Sequence, residues 1–414
     1  MTTKNNIPVG YKDSAVGIIP QEWEVTTLGK LVSITSGESP SLYNLQSSGK
    51  YPYVKVEDMN NCEKYQIFSR EYSDDEKGAI PKRSIIFPKR GAAIINNKVR
   101  ITDCALYMDS NMMAITPNEY VCGDYLYFKI TFEKLYKIAD TSTIPQINNK
   151  HIIQYKLAVP PMEEQRKIAE ILSVWDKAIE KQSRLIEKLE LRKRGLMQHL
   201  LIGRTRLPGF TTPWQKVKLG EIGKTYNGLT GKSKEDFEDG NAKFIPYINV
   251  FLNEKVNIDK LGVVSVDESE KQNKVQYGDI FFTVSSETPD EVGMASVLLE
   301  YIDDTYLNSF CFGYRLNDFE TLNPIFASYI LRGDRFRNYM MVLAQGSTRF
   351  NISKNEVMKL RIELPSLPEQ KAIAEVLTTA DDEIATHRKR LDALRLQKRG
   401  LMQQLLTGKT RVKI

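Results

Sequence analysis

Histidine and cysteine are scarce in this chain. Among 414 residues there are three histidines (His151, His199, His387) and four cysteines (Cys62, Cys104, Cys122, Cys311). The cysteines lie far apart and form no CxxC pair, which excludes a zinc ribbon or a dithiol redox motif; no HExxH cluster occurs either. A disulfide framework is not expected, and that points to a reducing cytoplasm. No apolar run approaches the roughly 20 residues that a bilayer span needs. The opening Met1-Thr2-Thr3-Lys4-Asn5-Asn6 leads into no hydrophobic leader. Charge is nearly balanced: 58 Lys and Arg against 52 Asp and Glu leave a net +6, which permits nucleic-acid binding without demanding it. With 41% apolar and 27% charged residues the composition is that of a folded globular protein. At roughly 150 residues per domain, two or three domains are expected. With so few acid–base and metal-binding side chains, function is expected from architecture and surface.

What is present is a repeat. Glu164-Gln165, Ile168-Ala169-Glu170, Lys193-Arg194-Gly195-Leu196-Met197-Gln198, Gly203 and Thr205-Arg206 recur as Glu369-Gln370, Ile373-Ala374-Glu375, Lys398-Arg399-Gly400-Leu401-Met402-Gln403, Gly408 and Thr410-Arg411. The offset is constant (369 − 164 = 205), and 21 of the 44 positions from Glu164 to Leu207 are identical to their counterparts. Upstream the correspondence loosens. Trp23, Leu28-Gly29 and Gly37 match Trp214, Leu219-Gly220 and Gly228 at an offset of 191, and Ser142-Thr143 match Ser347-Thr348 at 205. Insertions therefore fall in a diverged region, while each tail keeps strict register. The reading is α+β: residues 1–160 and 208–365 form two α/β domains of one plan, separated by helical regions 161–207 and 366–414.

The helices are expected at about 162–202 and 367–407. Pro160-Pro161 and Pro365 to Pro368 mark their starts, and Gly203 and Gly408 stand where a C′ glycine belongs. A four–three spacing runs through Ile168, Leu172, Trp175, Ile179, Gln182, Ile186, Leu189, Lys193, Leu196 and Leu200. It runs again through Ile373, Leu377, Ala380, Ile384, His387, Leu391, Leu394, Lys398, Leu401 and Leu405. This is a heptad seam, and two such helices of about 40 residues, each about 60 Å long, suit an antiparallel coiled coil with pseudo-twofold repetition. In repeat register Trp175 falls against Ala380, a large-to-small match. The basic groups Arg192-Lys193-Arg194, Arg388-Lys389-Arg390 and Lys398-Arg399 fit either a partner-binding face or a solvated helix end.

Both domains carry short apolar strand-like runs, such as 51–56, 84–87, 244–250 and 279–284, and a polar loop ahead of each helix. The first loop is 140–150, with Ser142, Thr143, Gln146, Asn148 and Lys150. The second is 345–354, with Ser347, Thr348, Arg349, Asn351 and Lys354. Hydroxyls, amides and cations suit phosphate and base-edge contacts, and the basic pair Lys89 and Arg90 joins these candidates. Asn148 or Asn149, and Ser353, equally suit helix N-caps.

Enzyme motifs are nearly but not fully formed. Asn323-Pro324-Ile325-Phe326 lacks the second proline of the Asn-Pro-Pro-Phe motif of amino-methyltransferases, and no glycine-rich turn for a methyl donor accompanies it. Gly231-Lys232-Ser233 has Tyr226 where a phosphate loop needs glycine. Pro289-Asp290 has no Glu-x-Lys at nuclease spacing. No catalytic, metal or cofactor residues are expected in the chain.

The doubled pattern resembles the specificity subunit of type I restriction–modification enzymes. The resemblance is carried by Pro160-Pro161-Met162-Glu163-Glu164-Gln165, Pro368-Glu369-Gln370, the Lys-Arg-Gly-Leu-Met-Gln runs, and the opening Tyr11-Lys12-Asp13-Ser14 through Ile19-Pro20 and Trp23. It covers essentially the whole chain. It implies two target recognition domains, each reading one half of a split site in double-stranded DNA, and spacer helices that dock two methyltransferase subunits. Motor and nuclease subunits would complete the complex, and S-adenosylmethionine, ATP and Mg would bind those partners in the cytoplasm, at the nucleoid. The competing readings are a stand-alone methyltransferase or nuclease and a plain coiled-coil scaffold.

Overall fold

The computed structural model describes residues 7–76 and 78–413; residues 1–6, on which the expectation of no hydrophobic leader falls, lie outside them. The chain divides into two compact units, Met1–Ser183 with Lys389–Ile414, and Arg184–Arg388. The unit boundaries fall within the two long helices, Met162–Leu200 and Leu367–Leu406. Each unit therefore contains one globular domain, the first half of the helix that follows it and the last half of the other helix.

In the first unit a five-stranded sheet has the order Val32–Ser36, Met112–Pro117, Ile85–Pro88, Arg100–Thr102, Tyr65–Gln66. The central strand is apolar without alternation, as expected of a strand covered on both faces. Successive side chains point to opposite sides. Ile85 and Phe87 join Met113 and Ile115 in the main core, whereas Ile86 joins Met112 and Ala114 against Val54, Met59 and Leu106. The second unit repeats this. Its sheet has the order Gly223–Asn227, Cys311–Leu316, Ile280–Thr283, Ala295–Val297. Ile280 and Phe282 face one core with Phe312 and Tyr314, and Phe281 faces another with Ile245, Val250 and Leu307. Full burial of one such side chain contributes about 1.5–3 kcal/mol.

The long helices enter these cores by their ends. Ile168, Ala169 and Leu172 pack in the first unit with Met402, Leu405 and Leu406. In the second, Ile373, Ala374 and Leu377 pack with Leu200 and Leu201. Within each unit the helix segments run antiparallel. Asp176 pairs with Lys398 and Glu164 with Arg411 in the first; Lys193 pairs with Asp381 and Arg206 with Glu369 in the second. Seam residues Ile179, Gln182, Ile186, Leu189, Ile384 and Leu391 are buried, and Leu394 and Leu401 are partly so. The antiparallel pairing corrects the expected match of Trp175 with Ala380. Ala380 lies beside Arg192 and Leu196 of its own unit, and Trp175 directly precedes Asp176, the partner of Lys398. Heptad spacing identifies the seam face but carries no information about which turn of the neighbour lies opposite.

The repeated Glu-Gln pair does the same work in both units. Glu164, wholly buried, accepts the Trp23 indole N–H at 3.0 Å and the Arg411 Nε–H at 2.7 Å. Gln165 accepts from the Cys122 N–H at 2.8 Å and donates to the Pro160 carbonyl at 2.9 Å. In the second unit Glu369 takes Arg206 in a fork, at 2.6 and 2.7 Å. Gln370 accepts from the Asn323 N–H at 2.9 Å and donates to the Pro365 carbonyl at 3.0 Å. A buried carboxylate is stable only with such charge-assisted partners. Each pair thus ties a domain to the start of its own helix and to the tail beyond the other. Gly203 and Gly408 end the helices at φ +69° and +73°, in the left-handed region that glycine enters without strain, and Trp214 and Pro20 pack against them.

Candidate nucleic-acid interface

In each unit three loops meet at one end of the central sheet. In the first unit, strand Ile85–Pro88 runs into Lys89-Arg90-Gly91. The Lys89 N–H donates to the Asn111 carbonyl (2.7 Å), and the Lys89 carbonyl accepts the Ile147 N–H (2.9 Å). Arg90 bridges Gln146, and Gly91 N–H donates to the Pro145 carbonyl at 2.9 Å. The loop 140–147 is closed by a double hydrogen bond between Asp140 and Gln146, both at 2.9 Å, and anchored by buried Ile147. Its tip of Ser142, Thr143 and Ile144 is exposed. The Asp140 carboxylate takes the Ser142 N–H at 2.9 Å, and that bond holds its carboxyl below the usual range.

The second unit builds the same end from different side chains. Val284 N–H donates to the Phe310 carbonyl (3.0 Å), and the Val284 carbonyl accepts the Ile352 N–H (2.9 Å). Ser285 pairs with Asn351 and Ser286 with Phe350. Gln345 and Asn351 exchange hydrogen bonds at 3.0 and 2.8 Å, closing a loop with Ser347, Thr348 and Arg349 exposed at its tip. The hydrogen bonds equate Lys89-Arg90-Gly91 with Val284-Ser285-Ser286, at an offset of 195 (284 − 89), and Asn111 with Phe310.

The two ends differ in electrostatics. In the first, burial and then the neighbouring Arg90 charge pull the Lys89 amine below its ordinary range, against a smaller pull from Asp109. Two adjacent cations, one partly desolvated, are stabilised by an incoming anion. The second has a valine and a serine in their place.

The structure thus brings Lys89, Arg90 and Gln146 together and leaves Ser142 and Thr143 at the adjoining tip. Asn351 joins Ser285, with Ser347, Thr348 and Arg349 at that tip. Asn148 sits instead at the N-cap of helix Asn149–Gln154, where its N–H donates to His151 Nδ1 at 3.3 Å; Lys150 lies exposed in the first turn. Ser353 is the N-cap of helix Lys354–Lys359, and the Lys354 amine donates to the Asn227 side chain. Sequence reasoning missed Ser285, Ser286, Asn111 and Phe310. Aligning Arg83-Ser84 with Gly278-Asp279 and counting on would have found the first two.

The near-motifs have structural partners. Asn323 Oδ1 accepts the Phe326 N–H at 3.0 Å as a helix cap, and Phe326 is wholly buried. Lys232 pairs with Glu270, and the Asp290 carbonyl accepts Arg337. Part of the basic helix groups is likewise engaged: Arg192 pairs with Glu383, Arg388 with Glu190, and Lys193 with both Asp381 and Glu254. Among the described residues no group of three or more His, Cys, Asp or Glu is placed to hold a metal ion, and no helix is long and apolar enough to cross a membrane.

Two stretches, residues 20–191 and 211–396, match the family described as type I restriction modification DNA specificity domain. The type I restriction enzyme MjaVIII specificity subunit of Methanocaldococcus jannaschii is 25% identical over 415 residues, covering 95% of this chain and 94% of the relative. The EcoR124I/EcoR124II specificity subunit of Escherichia coli is 23% identical over 40% of this chain and 44% of its own length. Among solved structures, the S subunit of the type I restriction-modification system from M. genitalium aligns over 98% of both chains with a TM-score of 0.53 and 17% identity. A chain from a type I R-M system structure aligns over 95% of this chain and 99% of its own with a TM-score of 0.62 and 16% identity.

Proposed function

Starting from the fact that the chain belongs to the type I restriction–modification DNA specificity family and is a specificity subunit with two DNA specificity domains, we propose that each three-loop end reads one half of a split DNA target. The observation that carries this is the pair of matched loop sets: one backbone frame, with Lys89, Arg90 and Asn111 exchanged for Val284, Ser285 and Phe310. A frame held constant under exchanged exposed and half-exposed side chains is what two different base sequences require, because base edges are read by side-chain chemistry and phosphates fix register. The chain itself performs no catalysis. The methyl donor, ATP and Mg belong to two methyltransferase subunits and to motor and nuclease subunits that join it on cytoplasmic DNA. The long helices set the gap between half-sites and dock the methyltransferase subunits.

Methylome sequencing of a host carrying the chain with its partner subunits tests this. Replacing residues 15–160 by another such domain is expected to change one half-site and leave the other; changes in both halves, or in neither, overturn the modular reading. Inserting one heptad into each long helix is expected to lengthen the unspecified gap, and an unchanged gap overturns the spacer role.

A further inference from the structure

Phe310 is the residue at the second loop end that folding does not explain. The residue is 63% exposed at the tip of the tight turn Asn308–Phe310. The backbone there is pinned. The Phe310 N–H donates to Asn308 Oδ1 at 2.8 Å, its carbonyl takes the Val284 N–H at 3.0 Å, and the Cys311 N–H closes the turn on the Asn308 carbonyl at 3.1 Å. The first unit makes the same turn with the same bonds. Asn111 N–H donates to Asp109 Oδ1 at 2.8 Å and its carbonyl takes the Lys89 N–H at 2.7 Å, but the side chain is an exposed amide. The turn therefore does not need an aromatic residue, and exposing one costs solvation.

From this we infer that Phe310 is a specificity-determining residue that packs on the 5-methyl group of a thymine in the major groove of the second half-site. The inference rests on the loop ends being the DNA-reading surfaces. In the major groove the thymine methyl is the apolar feature among donors and acceptors, and apolar side chains recognise it. The groups around Phe310 supply the rest of a base reader: Ser285 and Asn351 hydrogen-bond edges, and Arg349 at the loop tip meets guanine or phosphate. Insertion of the ring between base steps is the competing geometry. It requires unstacking, which costs a few kcal/mol per step, whereas a methyl contact needs none, and a backbone already tied to the sheet contributes no ordering cost.

The test uses the full chain assembled with its modification subunits, on DNA carrying the mapped target. Thymines of the second half-site are replaced one at a time by uracil, which lacks the methyl. One replacement is expected to weaken binding by wild-type protein about fourfold, the worth of one buried methyl-sized group. Phe310→Ala is expected to weaken binding to the thymine target about as much, to ignore that uracil, and to leave the first half-site untouched. Phe310→Leu is expected to keep part of the discrimination. If no uracil matters to wild type, or if Phe310→Ala stays equally sensitive to it, the assignment is overturned. If Phe310→Ala loses binding although wild type is indifferent to every uracil, the ring inserts between base steps instead, and that too overturns the assignment. Ser285→Ala with Asn351→Ala separates the two levels. If that variant shifts base preference in the second half-site while Phe310→Ala does not, only the Phe310 role fails; if neither shifts it, the reading of the loop ends as DNA-binding fails.

Discussion

The two units share a frame and differ at one rim. Where the frame meets a helix, the residues repeat: Glu164-Gln165 and Glu369-Gln370, Arg411 and Arg206, Gly408 and Gly203, Asp176 with Lys398 and Asp381 with Lys193. Where the sheet ends in loops the backbone bonds repeat, but apart from the Ser142-Thr143 and Ser347-Thr348 tips most side chains do not. The difference separates two jobs. A buried carboxylate with a fixed arginine tolerates little change, because loss of one partner leaves an unpaired charge at a cost of about 3–5 kcal/mol. An exposed loop tip held by main-chain bonds accepts new side chains at a cost mostly within ±0.5 kcal/mol. Change at the rim is cheap, and that is where recognition is expected to reside.

The larger asymmetry in the shared frame lies at its two tryptophans, and it yields the largest expected effect. The Trp23 indole N–H donates to buried Glu164, whereas the equivalent Trp214 N–H is buried without a hydrogen-bond partner among the described residues. Trp23→Phe removes a charge-assisted bond worth about 1.5–3 kcal/mol, and Trp214→Phe removes an unsatisfied donor, which is near neutral. Protection of core amides in each unit, measured by hydrogen exchange, should therefore fall by that difference for Trp23→Phe and little for Trp214→Phe. Equal losses would mean that the two clamps work alike despite their geometry.

The second comparison concerns the rims. Lys89 and Arg90 are cations where the second unit has Val284 and Ser285. Each phosphate contact contributes about 0.9 to the slope of log affinity against log salt. In the assembled complex, Lys89→Ala with Arg90→Ala is expected to make that slope shallower by about 1.8, so that its deficit relative to wild type shrinks about tenfold between 50 and 200 mM salt. Ser285→Ala should leave the slope unchanged and alter base preference in the second half-site. A salt slope that moves equally for both would erase the distinction between the rims.

Much of the frame was legible in the sequence, for physical reasons that particular residues show. Ile168, Leu172, Ile373 and Leu377 announce their face because a helix repeats its side-chain directions along a short stretch of chain. Ile85-Ile86-Phe87 and Ile280-Phe281-Phe282 announce a doubly covered strand because no polar residue interrupts them. Register between elements was not legible. Ser285 meets Asn351 through a ladder joining segments 66 residues apart (351 − 285), and neither segment records the other's phase. For the same reason Trp175 was matched with Ala380, since periodicity in one helix does not give its neighbour's direction. The polar loops were found by composition, but composition did not separate Gln146, which faces Arg90, from Asn148, which caps a helix.

The smallest expected effect tests whether the frame itself is optimal in both units. Before the central strand the chain turns through a left-handed conformation twice, at Arg83 with φ +72° and at Gly278 with φ +84°. Glycine adopts this conformation freely, whereas a residue with a Cβ is strained there by about 1–2 kcal/mol. Arg83 recovers part of that through Asp124, at 3.4 Å, and through the Tyr65 ring, whose centroid lies 5.7 Å from its guanidinium carbon; exposed contacts of these kinds contribute about 0–1 kcal/mol. A Cβ at Gly278 would lie 2.4 Å from the far end of the exposed Phe319 ring, which would have to shift, while Arg83 occupies its turn at a conformational cost. Arg83→Gly is therefore expected to stabilise the first unit by only about 0.3 kcal/mol, since about 1.5 kcal/mol of strain is offset by about 0.5 kcal/mol of lost contacts and about 0.7 kcal/mol for the extra freedom glycine gives the unfolded chain. A raised denaturation midpoint at unchanged denaturant dependence would show it. A lowered midpoint would mean that the Asp124 and Tyr65 contacts outweigh the strain of the turn.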